Sequence, residues 1–176
     1  GLGRPIQTVQ QGITPLENDL VTLRQYDGFG RESRTWLPAV VAGNGGAYVP
    51  LVRIMSEAKE NYGDRKAYSY PIYESSPLDR VTELYGPGEK WQIADRAERI
   101  RYLTNDGTDS LECLRFSASD YGPTDTVVVV SGTGQYIPGE MYVSRIEDED
   151  GNAAFEFRDK RNLVVLVRQV VPTGIG

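Results

Sequence analysis

The stretch Tyr26-Asp27-Gly28-Phe29-Gly30-Arg31 decides the fold, because the chain returns to the same skeleton near both ends. Gly1-Leu2-Gly3-Arg4 matches Gly28 to Arg31, and Phe157-Arg158-Asp159-Lys160-Arg161-Asn162 keeps the spacing. An Asp side chain bonds the backbone two residues on, and a following Gly or Asn tolerates positive φ, so the chain reverses between two strands. These motifs predict recurrent strand-turn-strand units with the following structural turn residues: Tyr26, Asp27, Gly28, Gly30, Arg31, Asp159 and Asn162.

Turn-forming residues separate short β-prone runs along the whole chain, which has 19 glycines and 10 prolines. This pattern favours a mainly β fold of antiparallel sheets and hairpins, with repeat-like strands at both ends and at most one or two short helices. One helix is predicted near 52–62, before Gly63, and Asp150-Gly151 predicts a hairpin tip. The predicted strands are 6–10, 20–26, 33–37, 67–73, 80–85, 100–104, 111–117, 126–130, 141–146, 154–158 and 163–170.

The position of the motifs predicts three segments. Residues 1–38 hold the first repeat-like strands, and 126–176 hold β-hairpins and the terminal repeat. Between them, 39–125 lacks the Tyr-Asp pattern and is predicted to be an inserted β-rich subdomain.

Composition argues against several classes of function. The net charge is −6 and no dense basic run occurs, which disfavours nucleic acid and anionic membrane surfaces as partners. Histidine is absent, so the commonest general base and transition-metal ligand is missing. The single cysteine, Cys113, is predicted to be a small buried hydrophobe. The sequence contains no run of 18 apolar residues, so no transmembrane helix is predicted.

Two groups of acidic residues are candidates for metal binding or catalysis. The acidic turn 147–152 offers carboxylates for Ca²⁺, but it lacks the spacing of a helix-loop-helix calcium loop, and a solvated hairpin tip is the favoured explanation. Asp79 and Glu83 are the acids that an enzyme would use, yet no pair of carboxylates stands out. We therefore predict no enzyme activity, no metal ligand and no cofactor.

Aromatic residues are the remaining candidates for a binding site. Exposed tyrosine and tryptophan faces can stack on sugar rings or anchor a protein partner. The alternative is that these side chains fill the core and its rim. The candidate binding residues are Tyr68, Tyr70, Tyr73, Tyr85 and Trp91.

The motif Tyr26-Asp27-x-x-Gly30-Arg31 resembles the repeat of the Rhs, or YD-repeat, proteins. The stretch from Tyr70 to Arg80, with Ser76-Pro77-Leu78-Asp79-Arg80, and the later Gly86-Pro87-Gly88-x-x-Trp91 resemble the uncharacterised domain at the front of Rhs-type surface proteins of Gram-negative gut bacteria. The resemblance implies a large secreted or cell-surface polypeptide whose repeats wind into a β-sheet shell, often around a variable C-terminal toxin.

The resemblance and the residues together predict a non-catalytic structural domain that contributes to such a shell or to its N-terminal plug. The alternative is a carbohydrate- or protein-binding module of the bacterial cell envelope. Predicted partners are neighbouring repeats of the same polypeptide, envelope carbohydrate or a protein, and exposed strand edges predict self-association. Because Gly1 begins inside a repeat, we expect the chain to be a piece of a longer polypeptide.

Overall fold

The structure of the chain is a computed structural model, which describes residues 3–108, 110–118 and 130–170. The chain forms two compact units, residues 1–98 and 99–176. The three predicted segments, 1–38, 39–125 and 126–176, stay a prediction, because the division into two compact units does not test where an inserted segment begins. Gly1 and Leu2, and most of the predicted strand 126–130, lie outside the described residues.

The first unit is an antiparallel sheet with two helices. The elements are β1 (Gln7–Gln10), β2 (Asp19–Tyr26), β3 (Glu32–Trp36), β4 (Ala39–Val41), α1 (Leu51–Tyr62), β5 (Tyr68–Tyr73), β6 (Val81–Tyr85) and α2 (Glu89–Ile93). The strands pair in the order β1-β2-β3-β5-β6, and β4 pairs with the first residues of β2.

The second unit contains two antiparallel sheets. The elements are β7 (Ala97–Thr104), which begins two residues before this unit, β8 (Leu114–Ala118), β9 (Val130–Gln135), β10 (Tyr142–Glu147), β11 (Ala153–Arg158) and β12 (Val164–Val170). One sheet has the order β7-β10-β11-β12, and β8 and β9 form a separate two-stranded sheet.

The mainly β prediction is confirmed, and the described residues contain two helices, one of them at the predicted place. α1 ends at Tyr62, and the next residue, Gly63, caps it: Gly63 takes the left-handed conformation with φ 60°, and its N–H donates to a carbonyl of the last turn. The sequence reading missed β4 and α2, because elements of three and five residues are too short to show a period. Of β9 it predicted only Val130, because the glycines at 132 and 134 are typical of turns. Neither helix is long and apolar enough to cross a membrane in the part of the chain that the structure describes.

The core of the first unit lies between α1 and the sheet. Alternate residues of β2, Val21 and Leu23, face inward, and Ile54 and Ala58 of α1 pack against them together with Trp36. The two helical residues are four apart, so they lie on the same side of α1. Burial of this apolar stripe stabilises a helix whose remaining positions are mostly polar.

A buried carboxylate fixes the loops beside this core. Asp19 is 2% exposed and accepts hydrogen bonds from the backbone N–H of Gly12 at 2.9 Å, from the backbone N–H of Gly46 at 2.6 Å, and from Asn44 Nδ2 at 3.0 Å. These hydrogen bonds, first of all that from Gly46, hold the pKa of Asp19 below its ordinary value. One side chain thereby joins the loop before β2 to the loop before α1.

The core of the second unit is smaller. Phe155 and Phe157 of β11 and Val143 of β10 enclose Cys113 and Met141. Burial raises the pKa of the Cys113 thiol, so the side chain stays neutral. The prediction that Cys113 is a buried small hydrophobe is confirmed.

We expect Ile54→Ala to lower the free energy of unfolding by about 2–5 kcal/mol, because it opens a cavity between α1 and β2. Val52 on the same helix is 74% exposed, so Val52→Ala is the matched control and should change the free energy by less than about 0.5 kcal/mol. Urea unfolding followed by circular dichroism measures both. Equal effects of the two substitutions would contradict the packing of α1.

Candidate functional site

The motif that contains Asp27 forms a tight, aspartate-anchored turn between β2 and β3. Asp27 Oδ1 accepts hydrogen bonds from the backbone N–H groups of Phe29 and Arg31, both at 2.9 Å. The N–H of Gly30 donates to the Asp27 carbonyl at 2.9 Å, and the N–H of Asp27 donates to the Arg31 carbonyl at 2.9 Å. Gly30 has φ 80°, where most side chains would be strained.

The motif that contains Asp159 has the same turn between β11 and β12. Asp159 Oδ1 accepts from the backbone N–H groups of Arg161 at 2.8 Å and Leu163 at 2.9 Å. The N–H of Asn162 donates to the Asp159 carbonyl at 2.9 Å, and the N–H of Asp159 donates to the Leu163 carbonyl at 3.0 Å. Asn162 takes the role of Gly30 with φ 65°. The two motifs therefore share one backbone conformation.

A further copy of this turn closes the hairpin of β10 and β11. Asp148 Oδ1 accepts from the N–H groups of Asp150 at 3.0 Å and Asn152 at 2.9 Å, and Gly151 has φ 88°. The sequence reading located the hairpin but missed Asp148 as the anchor; the Asp-x-x-Gly spacing is the signal that could have found it. Asp148 Oδ2 also accepts from Asn152 Nδ2 at 2.8 Å, so both carboxylate oxygens are used inside the turn.

Arg31 joins the turn to a second sequence motif. Its Nε donates to Asp27 Oδ2 at 2.8 Å, and its Nη1 donates to Asp79 Oδ1 at 2.8 Å. The guanidinium carbon lies 4.5 Å from the centre of the Tyr73 ring, and the Tyr73 hydroxyl donates to the Glu32 carbonyl at 2.9 Å. The Tyr-Asp motif and the Ser-Pro-Leu-Asp-Arg motif thus meet at one arginine.

The hairpin of β5 and β6 is closed by Glu74 and Arg80. Arg80 donates to both carboxylate oxygens of Glu74 at 2.8 Å, and the Ser76 hydroxyl donates to Oε1 at 2.6 Å. The bonds from Arg80 and then Ser76 lower the pKa of Glu74 to about 2. Asp79 in this loop has φ 52°, a conformation that Asp tolerates better than most residues.

The Gly-Pro-Gly motif positions α2. Gly88 has φ 126°, and its N–H donates to the Lys66 carbonyl at 2.9 Å. The backbone N–H of Glu89 donates to Asp64 at 3.0 Å, which provides a partner for one of the unpaired N–H groups at the start of the helix. Trp91 follows on α2, 44% exposed, with the Arg96 guanidinium 4.9 Å from its ring centre.

A row of aromatic rings crosses β3, β5 and β6, and we call it the tyrosine row: Trp36, Tyr68, Tyr70 and Tyr85. Ring centres are 4.8 Å apart for Trp36 and Tyr68, 6.3 Å for Tyr68 and Tyr70, and 4.7 Å for the parallel rings of Tyr70 and Tyr85. The strand register causes this contact, because Trp36 pairs with Tyr68 and Tyr70 pairs with Tyr85.

The end of the row at Tyr85 is fixed by carboxylates. The Tyr85 hydroxyl lies 2.5 Å from Asp95 Oδ1 and 2.9 Å from Glu83 Oε2. The hydrogen bond to Asp95, and then burial, raises the pKa of Tyr85. From the sequence, Asp79 and Glu83 are the acids that an enzyme would use. In the structure Glu83 contacts the tyrosine row, and Asp79 forms an ion pair with Arg31.

The structure brings three of the five predicted binding residues together. Tyr68, Tyr70 and Tyr85 belong to the tyrosine row, whereas Tyr73 packs under Arg31 and Trp91 packs against Arg96. Within the described ranges, neither Tyr73 nor Trp91 has a ring contact with the row.

A cleft of about 400 Å³ opens beside Tyr68 and Tyr70, and we call it the tyrosine cleft. It is lined by Ser33, Arg34, Lys66, Tyr68, Tyr70 and Gln92. Sequence reasoning missed Arg34, Lys66 and Gln92, because they come from three separate segments and only the strand register and the position of α2 bring them to the two tyrosines.

A protein-family model described as a domain of unknown function, DUF6443, matches residues 1–104, which is more than half of the chain. No curated protein and no solved structure matches the chain.

We expect Gly151→Ala to lower the free energy of unfolding by about 1–2 kcal/mol, because an L-residue is strained at positive φ. Gly28→Ala is the matched control: a Cβ meets nothing within 4 Å at either position, and only Gly151 has positive φ. Thermal unfolding measures both variants. A Gly28→Ala variant that is as destabilised as Gly151→Ala would contradict the turn geometry.

We expect the free energy of unfolding to fall as the pH falls from 4.5 towards about 2. The pKa of Glu74 is lower in the folded chain than in the unfolded chain, so its contribution is present above the unfolded pKa and is lost as the pH falls through the folded one. The lowered pKa values of Asp27, Asp148 and Asp159 act in the same direction.

Glu74→Gln should make this pH dependence shallower, and Glu60→Gln on the exposed side of α1 is the control. Urea unfolding at a series of pH values measures the slope for each variant. A Glu74→Gln curve parallel to that of the unsubstituted chain would show that the pair with Arg80 does not contribute.

Proposed function

The chain belongs to the DUF6443 family, and we propose that it is a non-catalytic structural domain of a large secreted or cell-surface polypeptide of the Rhs, or YD-repeat, class. One observation carries the proposal: hairpins at Asp27, Asp148 and Asp159 use the same aspartate-anchored turn. Repetition of one turn is what a chain needs to stack many hairpins into a sheet.

The residues of the sequence motifs support a structural role, because they bond to each other. Asp27 and Asp79 both bind Arg31, and Glu74 binds Arg80. Catalytic and ligand-binding groups need donors or acceptors directed at a substrate. Here the charged ends of the motif residues hold two hairpin loops of the first unit in place.

The outer strand of the second unit supports assembly with further strands. β12 pairs with β11 on one side, and in the described part of the chain its other edge has no partner strand. Apolar side chains along and just before it are exposed: Leu163, Val164, Val165, Val167 and Val170. An exposed apolar edge strand is a template for pairing, and the proposed partner is a neighbouring repeat of the same polypeptide, in a β-sheet shell or its N-terminal plug.

A second function, a binding module of the cell envelope, is favoured by one specific observation. The tyrosine row lies beside a concave surface of the first unit that is lined by two cationic side chains, those of Arg34 and Lys66. A structural domain can carry such a site, because the turn residues and the cleft residues are different side chains.

The structural proposal is tested by self-association of the chain. We expect a light-scattering mass above that of the monomer at high protein concentration, because the outer edge of β12 is unpaired among the residues that the structure describes. Val167→Lys should reduce association, since a strand that pairs there would bury a lysine. Leu16→Lys is the control, because Leu16 is 82% exposed in a loop. A strictly monomeric profile, or equal effects of both substitutions, would contradict the proposal.

A further inference from the structure

We propose that the tyrosine cleft binds a carboxylate-bearing saccharide, of the uronic acid class. This inference rests on the second function above, the binding module, and is independent of the structural role. The volume of about 400 Å³ lies within the range of small-molecule sites, about 300–1,000 Å³.

The aromatic wall of the cleft is built before any ligand arrives. Tyr68 and Tyr70 are two residues apart on β5, so they lie on the same face of the sheet. Tyr70 is held by the parallel ring of Tyr85, and Tyr68 is held by Trp36. Rings fixed in this way lose little conformational entropy on binding, and their faces can pack against the C–H face of a sugar ring.

Two cations determine the charge of the ligand. Arg34 and Lys66 form no ion pair with a carboxylate of the described residues, whereas Arg24, Arg31 and Arg80 in the same unit each do. The Arg34 guanidinium carbon lies 4.9 Å from the centre of the Tyr68 ring, which orients the group while the N–H donors along its edge remain available. A guanidinium and an ammonium in one cleft match a carboxylate.

Gln92 supplies the polar contact that a sugar hydroxyl would complete. Its Nε2 donates to the carbonyls of Tyr68 at 2.8 Å and Gly86 at 3.0 Å, which fixes the orientation of the amide. Its Oε1 is buried and has no hydrogen-bond partner among the described residues, and the whole residue is 8% exposed. An unpaired buried acceptor is costly, so a donor from a ligand would be favourable. Oε1 is covered in the structure, so a ligand hydroxyl reaches it only after a local rearrangement of the cleft.

A saccharide fits this combination better than an acidic peptide. A uronic acid presents an apolar C–H face, several hydroxyl donors and one carboxylate on a single compact ring. The cleft offers an aromatic wall and two cations within the space of one small molecule, and the amide of Gln92, one of its lining residues, holds a covered oxygen without a partner. A peptide would satisfy the cations but would extend beyond the cleft.

The test is calorimetric titration of the chain with short galacturonate and glucuronate oligomers. Galactose and glucose oligomers of the same length are the neutral controls, and a tetrapeptide of Asp and Glu is the acidic control. We expect at least one uronide to bind about tenfold more tightly than its neutral counterpart, because hydrogen bonds between charged groups are the stronger ones. This comparison requires no substituted protein.

The variant Arg34→Gln with Lys66→Met should weaken uronide binding about tenfold, whereas Arg101→Gln with Lys160→Met, which removes the same charge from the second unit, should not. Thermal unfolding verifies that both variants are folded.

Equal affinity for the neutral and the uronide oligomers overturns the role of the carboxylate but leaves a sugar-binding module. Equal or tighter binding of the acidic tetrapeptide overturns the saccharide class. No binding of any probe overturns both this inference and the second function, and leaves the structural proposal untouched.

Discussion

The rest of the structure depends on one hydrogen-bond pattern, in which an Asp carboxylate oxygen accepts from the backbone N–H groups two and four residues later. This pattern fixes the direction in which a strand returns, and with it the register of the hairpin. At Asp27 and Asp159 the register shift beside the turn falls at the end of the preceding strand. The core faces of β2 and β11 meet their neighbours correctly only because the turns hold this offset.

Side chains around the turns connect these local structures over longer distances. Arg31 spans from its own turn to Asp79, 48 residues further along the chain. Asp19 connects Gly12 to Gly46 in a comparable way. In both cases a charged group bonds to residues of another loop, so the loops of the first unit are specified by polar contacts as well as by the apolar core.

The sequence was informative where structure is local. The Asp-x-x-Gly spacing at Asp27 and the Asn at position 162 identified turns that the structure contains, and the amphipathic composition of 52–62 before Gly63 identified α1. The sequence did not identify the buried face of α1, because Val52 is exposed and the buried residues are Ile54 and Ala58. It was uninformative where structure arises from pairing over a distance. Nothing near Tyr68 indicates that Trp36 lies opposite it, and nothing near Gln92 indicates that its amide bonds the Tyr68 carbonyl.

The position of Cys113 has a practical consequence. It is the sole thiol in the chain, and its side chain is enclosed by Phe155, Phe157 and Met141 in the second unit. An alkylating reagent can reach the sulfur only after this core opens, because the side chain is buried. While it is buried, the neutral thiol is also a poor nucleophile. The alkylation rate therefore reports the opening of the core around Cys113, and a probe of the first unit measured beside it compares the stabilities of the two cores.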